Sequence, residues 1–264
     1  MKTNEQFLLE EKYDGVKTDE FFTDCKALAL GTPLGYLIGH VPFLDCTIYL
    51  DHHPLMPRVE TEYWADLAIK AMKENSKLQS TLAGLPSEPI CVLDLCAGSG
   101  CIGVAVAKAF PQASVDFAEI DARLLPTIEK NCIKNEISPD RFNVYHANLF
   151  SLNQDSSRQD LELGRYDFIL SNPPYIDPAL DRATESVKTH EPHLALYGGV
   201  GGLDVIEQII ASASQYLTPT GQLWIEHEPE QSAAIKAIAD QHNFVATTHL
   251  DQYQVERYSI LVVQ

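Results

Sequence analysis

From residue 90 onward the chain alternates short apolar runs with amphipathic stretches, and few folds accommodate that rhythm. Residues 90–95, 114–120, 142–146 and 166–171 read as strands, and 101–110 and 124–135 as helices between them. After a loop at 176–202 come a helix at 203–216, a strand at 222–226 and a helix at 230–241. Strands at 244–249 and 258–263 close the series. Helices interposed between strands imply crossover connections. The expectation is therefore an α/β fold: a mostly parallel sheet of seven strands with helices on both faces. The last two strands have no helix between them, so one of them runs antiparallel.

The upstream third is different. Residues 1–30 carry Phe7, Leu8, Phe21, Phe22, Leu28 and Leu30 at loose helical spacing, enough for one or two helices but not for an independent core. Gly31-Thr32-Pro33-Leu34-Gly35 breaks the pattern, and residues 42–50 read as part of a hairpin. A helix follows from Pro57 to about Lys73, with Glu60 and Glu62 where the helix dipole favours anions. The polar stretch 75–89 reads as a linker or loop.

Two stretches carry candidate chemistry. The first is Asp94-Leu95-Cys96-Ala97-Gly98-Ser99-Gly100, joining the first strand of the series to its helix. Gly98 and Gly100 permit a tight turn and close approach of a ligand, and the unpaired N–H groups of the helix start favour an anion. Nicotinamide, flavin and methyl-donor proteins share this turn, and a plain strand-to-helix connection is the alternative. Glu119 ends the next strand, where a carboxylate can accept from both ribose hydroxyls of a nucleoside; an exposed strand-end acid is the alternative. Asn148 follows the third strand and suits either an adenine edge or an ordinary loop turn.

The second stretch is Asn172-Pro173-Pro174-Tyr175. Two prolines stop ladder pairing and stiffen the backbone, presenting an amide at the carboxyl end of a strand. Open α/β sheets bind their ligands at that edge. The Asn172 amide oxygen and the Pro173 carbonyl are two acceptors, which suits a planar –NH2 group, and Tyr175 offers a flat face. A proline turn that merely ends the strand is the alternative.

Charge and cysteines bound the remaining choices. A net charge of −18 over 264 residues disfavours direct nucleic-acid binding, which rests on Lys and Arg, and suits a basic protein partner or simple solubility. Six cysteines without a CxxC pair read as reduced thiols in a cytosol-like compartment. His52-His53 lacks the spaced partners of a metal site, so no metal is expected. No apolar run has the length of a bilayer span, and no membrane association is expected.

Taken together, residues 94–103, Glu119 and Asn172-Pro173-Pro174-Tyr175 resemble a class I, S-adenosylmethionine-dependent N-methyltransferase. Pro57-Arg58-Val59-Glu60-Thr61-Glu62 narrows this, being similar to the PRPETE segment of the HemK family, protein glutamine N5-methyltransferases that modify peptide-chain release factors. Gly35-Tyr36-Leu37-Ile38-Gly39, Glu191-Pro192-His193-Leu194-Ala195-Leu196, residues 198–204, Glu226-His227 and Glu256-Arg257-Tyr258 resemble the same family, in its order. The resemblance implies a Rossmann-like methyltransferase domain at 90–264, a hairpin, PRVETE helix and linker at 34–89, and a reduced helical substrate-binding segment at 1–33. It implies S-adenosylmethionine as cofactor, S-adenosylhomocysteine as product, and a release factor as protein partner in the cytoplasm. Cofactor contacts would come from Asp94, Cys96, Ala97, Gly98, Ser99, Gly100, Glu119, Ile120, Asn148, Leu149 and Asn172. Asn172, Pro173 and Tyr175 would be catalytic. Pro174 would join them against substrate, with Arg58 and Glu60 either touching it or holding the loop. The family's longer N-terminal domain has only residues 1–30 as a counterpart here, so substrate docking is expected to be altered or supplied by another protein. Asn148 stands where the family commonly has Asp, and Val59 replaces a proline. Another protein glutamine, or a nucleic-acid exocyclic amine, is the alternative target; a donor-binding scaffold without activity is the non-enzymatic alternative.

Overall fold

The computed structural model describes residues 2–83, 89–152, 165–180, 182 and 184–264, with side chains outside 75–83. Three helices come first: α1 (Asn4–Tyr13), α2 (Asp19–Ala29) and α3 (Leu34–Ile38). Thr3 and Thr18 cap the first two by accepting from the Gln6 and Phe21 amides. The expected hairpin follows as β1 (His40–Phe43) and β2 (Cys46–Tyr49), then α4 (Val59–Ala83). Alternation begins with β3 (Cys91–Leu95), α5 (Cys101–Ala109), β4 (Ser114–Glu119), α6 (Leu125–Lys134), β5 (Phe142–Asn148) and the two-residue β6 (Ser151–Leu152). The chain finishes with β7 (Tyr166–Ser171), α7 (Glu185–His190), α8 (Asp204–Ala213), β8 (Leu217–Glu226), α9 (Ser232–Gln241), β9 (Phe244–Leu250) and β10 (Glu256–Val263).

The main sheet has the order β6-β5-β4-β3-β7-β8-β10-β9. β5, β4, β3, β7 and β8 are mutually parallel, while β10 runs antiparallel to both β8 and β9. The seven strands expected are all present, and the eighth is β6, a short antiparallel edge on β5. Both faces are buried, as a parallel sheet requires. Val92, Phe117, Phe168 and Leu170 face a cluster with the hairpin, α4 and α5. Leu93, Leu95, Ile169 and Ile225 face the opposite cluster with α8 and α9.

Three expectations need correction. The helix predicted to stop near Lys73 runs on to Ala83, so 75–83 is not a loop; the remainder of that proposed linker, 84–88, lies outside the described residues. The predicted loop 176–202 contains α7, capped by Thr184 accepting from the Val187 amide. Strand β8 starts at Leu217 rather than 222, and α8 ends correspondingly early. In the first case polarity misled, because polar sequence is compatible with a helix as well as with a linker.

The chain order places the site. From β3 the sheet grows through β4 to β5, then β7 returns to the other side of β3. Leu95 lies opposite Ser171 in that pair, and the Ser171 hydroxyl donates to the Leu95 carbonyl at 2.8 Å. The loops after β3 and β7 therefore leave the sheet side by side, at the switch point where such folds bind ligands.

The hairpin packs against α5 and α6, and two asparagines hold it there. On α6, Asn131 accepts from the Tyr49 amide at 2.8 Å and donates to the Tyr49 carbonyl at 3.0 Å. Asn135, one turn later, does the same for Thr47, at 3.1 and 2.9 Å. Their amides imitate a neighbouring strand and close an edge that would otherwise be open. Asn131→Ala leaves the half-buried Tyr49 backbone groups without this partner and should lower stability by about 1–2 kcal/mol in urea unfolding. An unchanged midpoint and slope would show that the asparagine ladder does not hold the hairpin.

Candidate active site

The loops at the carboxyl edge enclose a cavity of about 250 Å³. Its floor is the turn after β3, with Cys96, Ala97, Gly98 and Ser99. Ala118, Glu119, Ile120 and Asp121 line it from β4, and Ala147, Asn148 and Leu149 from β5. Asn172 and Pro174 close one side, Leu55, Met56, Pro57 and Thr61 another. Pro192, Leu194 and Ala195 reach over it from the segment after α7. Leu194 is 57% exposed at this wall, an apolar side chain facing both cavity and solvent.

The turn has the geometry its glycines suggest. Gly98 and Gly100 adopt φ of +57° and +76°. A Cβ on Gly98 would meet nothing within 4 Å, so the backbone there borders open space. On Gly100 it would come within 3.0 Å of Ile128 Cγ2, so that glycine serves packing instead. Cys96 holds φ of +60°, a conformation that costs a non-glycine residue about 1–2 kcal/mol.

Two carboxylates brace the turn. Glu119 accepts from the Gly98 amide at 2.7 Å and from the Asp121 amide at 2.8 Å, and burial holds its pKa above the ordinary value. Asp94 is fully buried behind the turn, where its Oδ2 accepts from the Gly103 amide at 2.8 Å. Its Oδ1 has no partner among the described residues. Burial, with Glu119 nearby, pushes the Asp94 pKa up to about 8 against the accepting bond from Gly103.

A second network holds the proline loop. Glu226, at the end of β8 and 1% exposed, accepts from Thr61 Oγ1 at 2.7 Å and Trp64 Nε1 at 2.6 Å through Oε2. The Tyr175 hydroxyl donates to its Oε1 at 2.9 Å. Thr61 in turn accepts from Asn172 Nδ2 at 3.1 Å. The backbone behind is tight: a Cβ on Gly202 would sit 1.9 Å from the Tyr175 carbonyl oxygen, which also accepts from Gln231 Nε2 at 2.8 Å.

Sequence-predicted residues divide cleanly. Cys96, Ala97, Gly98, Ser99, Glu119, Ile120, Asn148, Leu149, Asn172 and Pro174 line one cavity. Asp94 and Gly100 support it from behind. Pro173 is buried outside the lining, and its carbonyl accepts no hydrogen bond among the described residues. Tyr175, expected as a flat face for the target group, does not line this cavity: its phenol is drawn to Glu226, as a buried hydroxyl needs a partner. Arg58 spends its guanidinium on Glu191, with contacts of 2.7 and 2.8 Å, and so holds the loop that carries Pro192 and Leu194. The Glu60 side chain makes no hydrogen bond among the described residues, while Glu62 accepts from the Leu44 amide at 2.5 Å at the hairpin turn. Sequence reasoning gave Thr61 and Glu226 no role. Both stand in the quoted motifs, but nothing local says that they meet. Among the described residues no His, Cys, Asp or Glu cluster could hold a metal, and no helix is long and apolar enough to cross a membrane.

A cavity of this kind, on this strand order, defines the methyltransferase class, and residues 77–191 match the family model of the methyltransferase small domain. The release factor glutamine methyltransferase of Rhodopirellula baltica is 32% identical over 83% of this chain and 69% of its own. The ribosomal protein uL3 glutamine methyltransferase of Bradyrhizobium diazoefficiens is also 32% identical, over 74% of this chain and 57% of its own. The bifunctional methyltransferase of Rickettsia prowazekii is 30% identical over 78% of this chain, which spans only 39% of that longer protein. Among solved structures, the N-terminal domain of human METTL16 in complex with SAH superposes with a TM-score of 0.52. It is 18% identical, over 92% of this chain and 83% of that one, a likeness of fold. The chain belongs to the HemK-type release factor glutamine methyltransferase family, whose members are class I S-adenosylmethionine-dependent enzymes.

The raised pKa of Asp94 has a testable sign. The native carboxyl holds its proton to about pH 8, whereas an unfolded one releases it near 3.8. Its contribution to stability is therefore complete below about pH 4 and is lost as pH rises towards 8. Thermal melts without added donor should show this decline in the wild type and lose it in Asp94→Asn. Parallel profiles for the two proteins would contradict the assignment.

Proposed function

We propose that this chain transfers a methyl group from S-adenosylmethionine to the side-chain amide nitrogen of a protein glutamine, the Gly-Gly-Gln glutamine of a peptide-chain release factor being the first target. The observation that carries the reading is Asn172, which shares one cavity with the Gly98 turn and has its amide nitrogen engaged by Thr61, leaving Oδ1 for a donor. Family membership supports the glutamine. The relative named for ribosomal protein uL3 supports a second reading, a glutamine on a ribosomal protein.

The lining fits the cofactor. Open space at Gly98, a carboxylate at Glu119 for ribose hydroxyls and apolar walls at Ile120 and Leu149 for a flat base suit S-adenosylmethionine. Asn148 borders the base position. When bound, S-adenosylmethionine supplies a methyl group activated by a positively charged sulfur, leaving S-adenosylhomocysteine.

The chain's own task is to hold a poor nucleophile still. A glutamine amide nitrogen shares its lone pair with its carbonyl, so it gains most from orientation and from acceptors for its hydrogens. Asn172 Oδ1 takes one hydrogen, and the Pro173 carbonyl is the candidate for the other. Each bond strengthens as positive charge grows on the nitrogen, which favours the transition state over the bound substrate. Positioning of this kind supplies up to about 7–11 kcal/mol in favourable cases. Pro174 and Leu194 exclude water at the cavity wall, and the proton leaves to solvent after transfer.

In the proposed organisation, residues 90–264 carry the reaction, 34–89 cover and brace it, and 1–33 form a helical docking segment. Six cysteines outside any disulfide fit a cytoplasmic setting, and the charge of −18 fits a basic protein partner rather than nucleic acid.

Incubation with donor and candidate release factors, followed by mass spectrometry, should place one methyl group on the Gly-Gly-Gln glutamine; methylation of a ribosomal-protein glutamine alone would favour the second reading, and no methylation of any glutamine would refute both. Asn172→Ala should lower kcat at least tenfold, about 1.4 kcal/mol of barrier, with S-adenosylhomocysteine affinity nearly unchanged by calorimetry. Gly98→Val, which fills the open side of the turn and strains a positive φ, should abolish that affinity. Retained binding would move the donor site elsewhere.

A further inference from the structure

Thr61 has one hydroxyl proton and two neighbours that compete for it. Glu226 Oε2 lies 2.7 Å away and the Asn172 amide 3.1 Å away. Glu226 is buried, and its other contacts, Trp64 Nε1 and the Tyr175 hydroxyl, are both donors. A carboxylate surrounded in this way offers acceptors only, so Thr61 gives its proton to Glu226. Lone pairs are then all that Thr61 can show to Asn172. The amide must answer with its –NH2, and its oxygen points the other way.

We propose that Thr61 and Glu226 act as a relay that sets which end of the Asn172 amide faces the target, making Thr61 a positioning residue. The inference rests on, and deepens, the glutamine-methylation reading, because an amide turned end for end would offer –NH2 to another –NH2 and bind nothing. Thr61 is well built for the task. It is 1% exposed, it sits in the first turn of α4, and its β-branched side chain has few rotamers in a helix. Its neighbours in the same motif have separate structural partners, Arg58 with Glu191 and Glu62 with the Leu44 amide.

The alternative is a hydroxyl that only fastens α4 to β8. Steady-state kinetics on a Gly-Gly-Gln peptide, calorimetry with S-adenosylhomocysteine and NMR of the Asn172 side-chain amide separate the two. Asn172→Asp identifies the amide cross-peaks by removing them. In the relay, Thr61→Val lowers kcat at least tenfold with donor affinity held within about threefold, and Thr61→Ser restores most of the rate. The bonded Asn172 amide proton loses its protection from exchange in the valine variant and keeps it in the serine variant. If valine disrupts folding, as judged by thermal melting, Thr61→Ala takes its place. Wild-type kcat in the folded variant, or unchanged exchange of the Asn172 protons, overturns the relay while leaving glutamine methylation standing. If the wild-type chain methylates no glutamine, that reading falls, and the exchange measurement still decides the relay.

Discussion

A carboxylate enclosed at the end of a central strand has to be satisfied by donors, and the donors that satisfy Glu226 tie three parts of the chain together. Thr61 and Trp64 come from the helix after the hairpin, and Tyr175 comes from the proline loop. Leaving any of these bonds unmade would cost about 1–3 kcal/mol for the buried, unpaired acceptor. The loop that presents Asn172 is therefore not free to drift relative to the covering helix. The Arg58–Glu191 pair repeats the device at the cavity's other wall, joining the same helix start to the segment that carries Pro192 and Leu194.

Acidity around the cavity follows from the same burial. Asp94, Glu119 and Glu226 all have their pKa raised, chiefly because water is excluded from them. None has a Lys or Arg within salt-bridge distance among the described residues. Glu119, the one of the three that lines the cavity, favours an incoming positive charge when ionised, which suits a donor whose reactive atom is a sulfonium.

Much of this was legible from residue order. The strand series from residue 90 appeared in the sheet as expected, and the Gly98 turn, Glu119 and Asn172 line one cavity. Periodicity and glycine placement are local properties, and they translate directly into backbone. The failures have physical causes. Polar composition concealed the extension of α4 to Ala83, and β6 is a two-residue edge too short for any pattern. Tyr175 reads as an aromatic platform until a carboxylate from β8, fifty-one residues later, takes its hydroxyl.

What the sequence determined by itself was the α/β class, the glycine turn and the presence of a stiffened amide at a strand end, because each depends on residues within a few positions of one another. Only the tertiary structure decided how that amide is held. Thr61, Asn172 and Glu226 are separated by more than a hundred residues in the first gap and by two helices and a strand in the second. Hydrogen-bond direction depends on which groups meet away from water, and that is settled only when the sheet brings their strand and helix ends together.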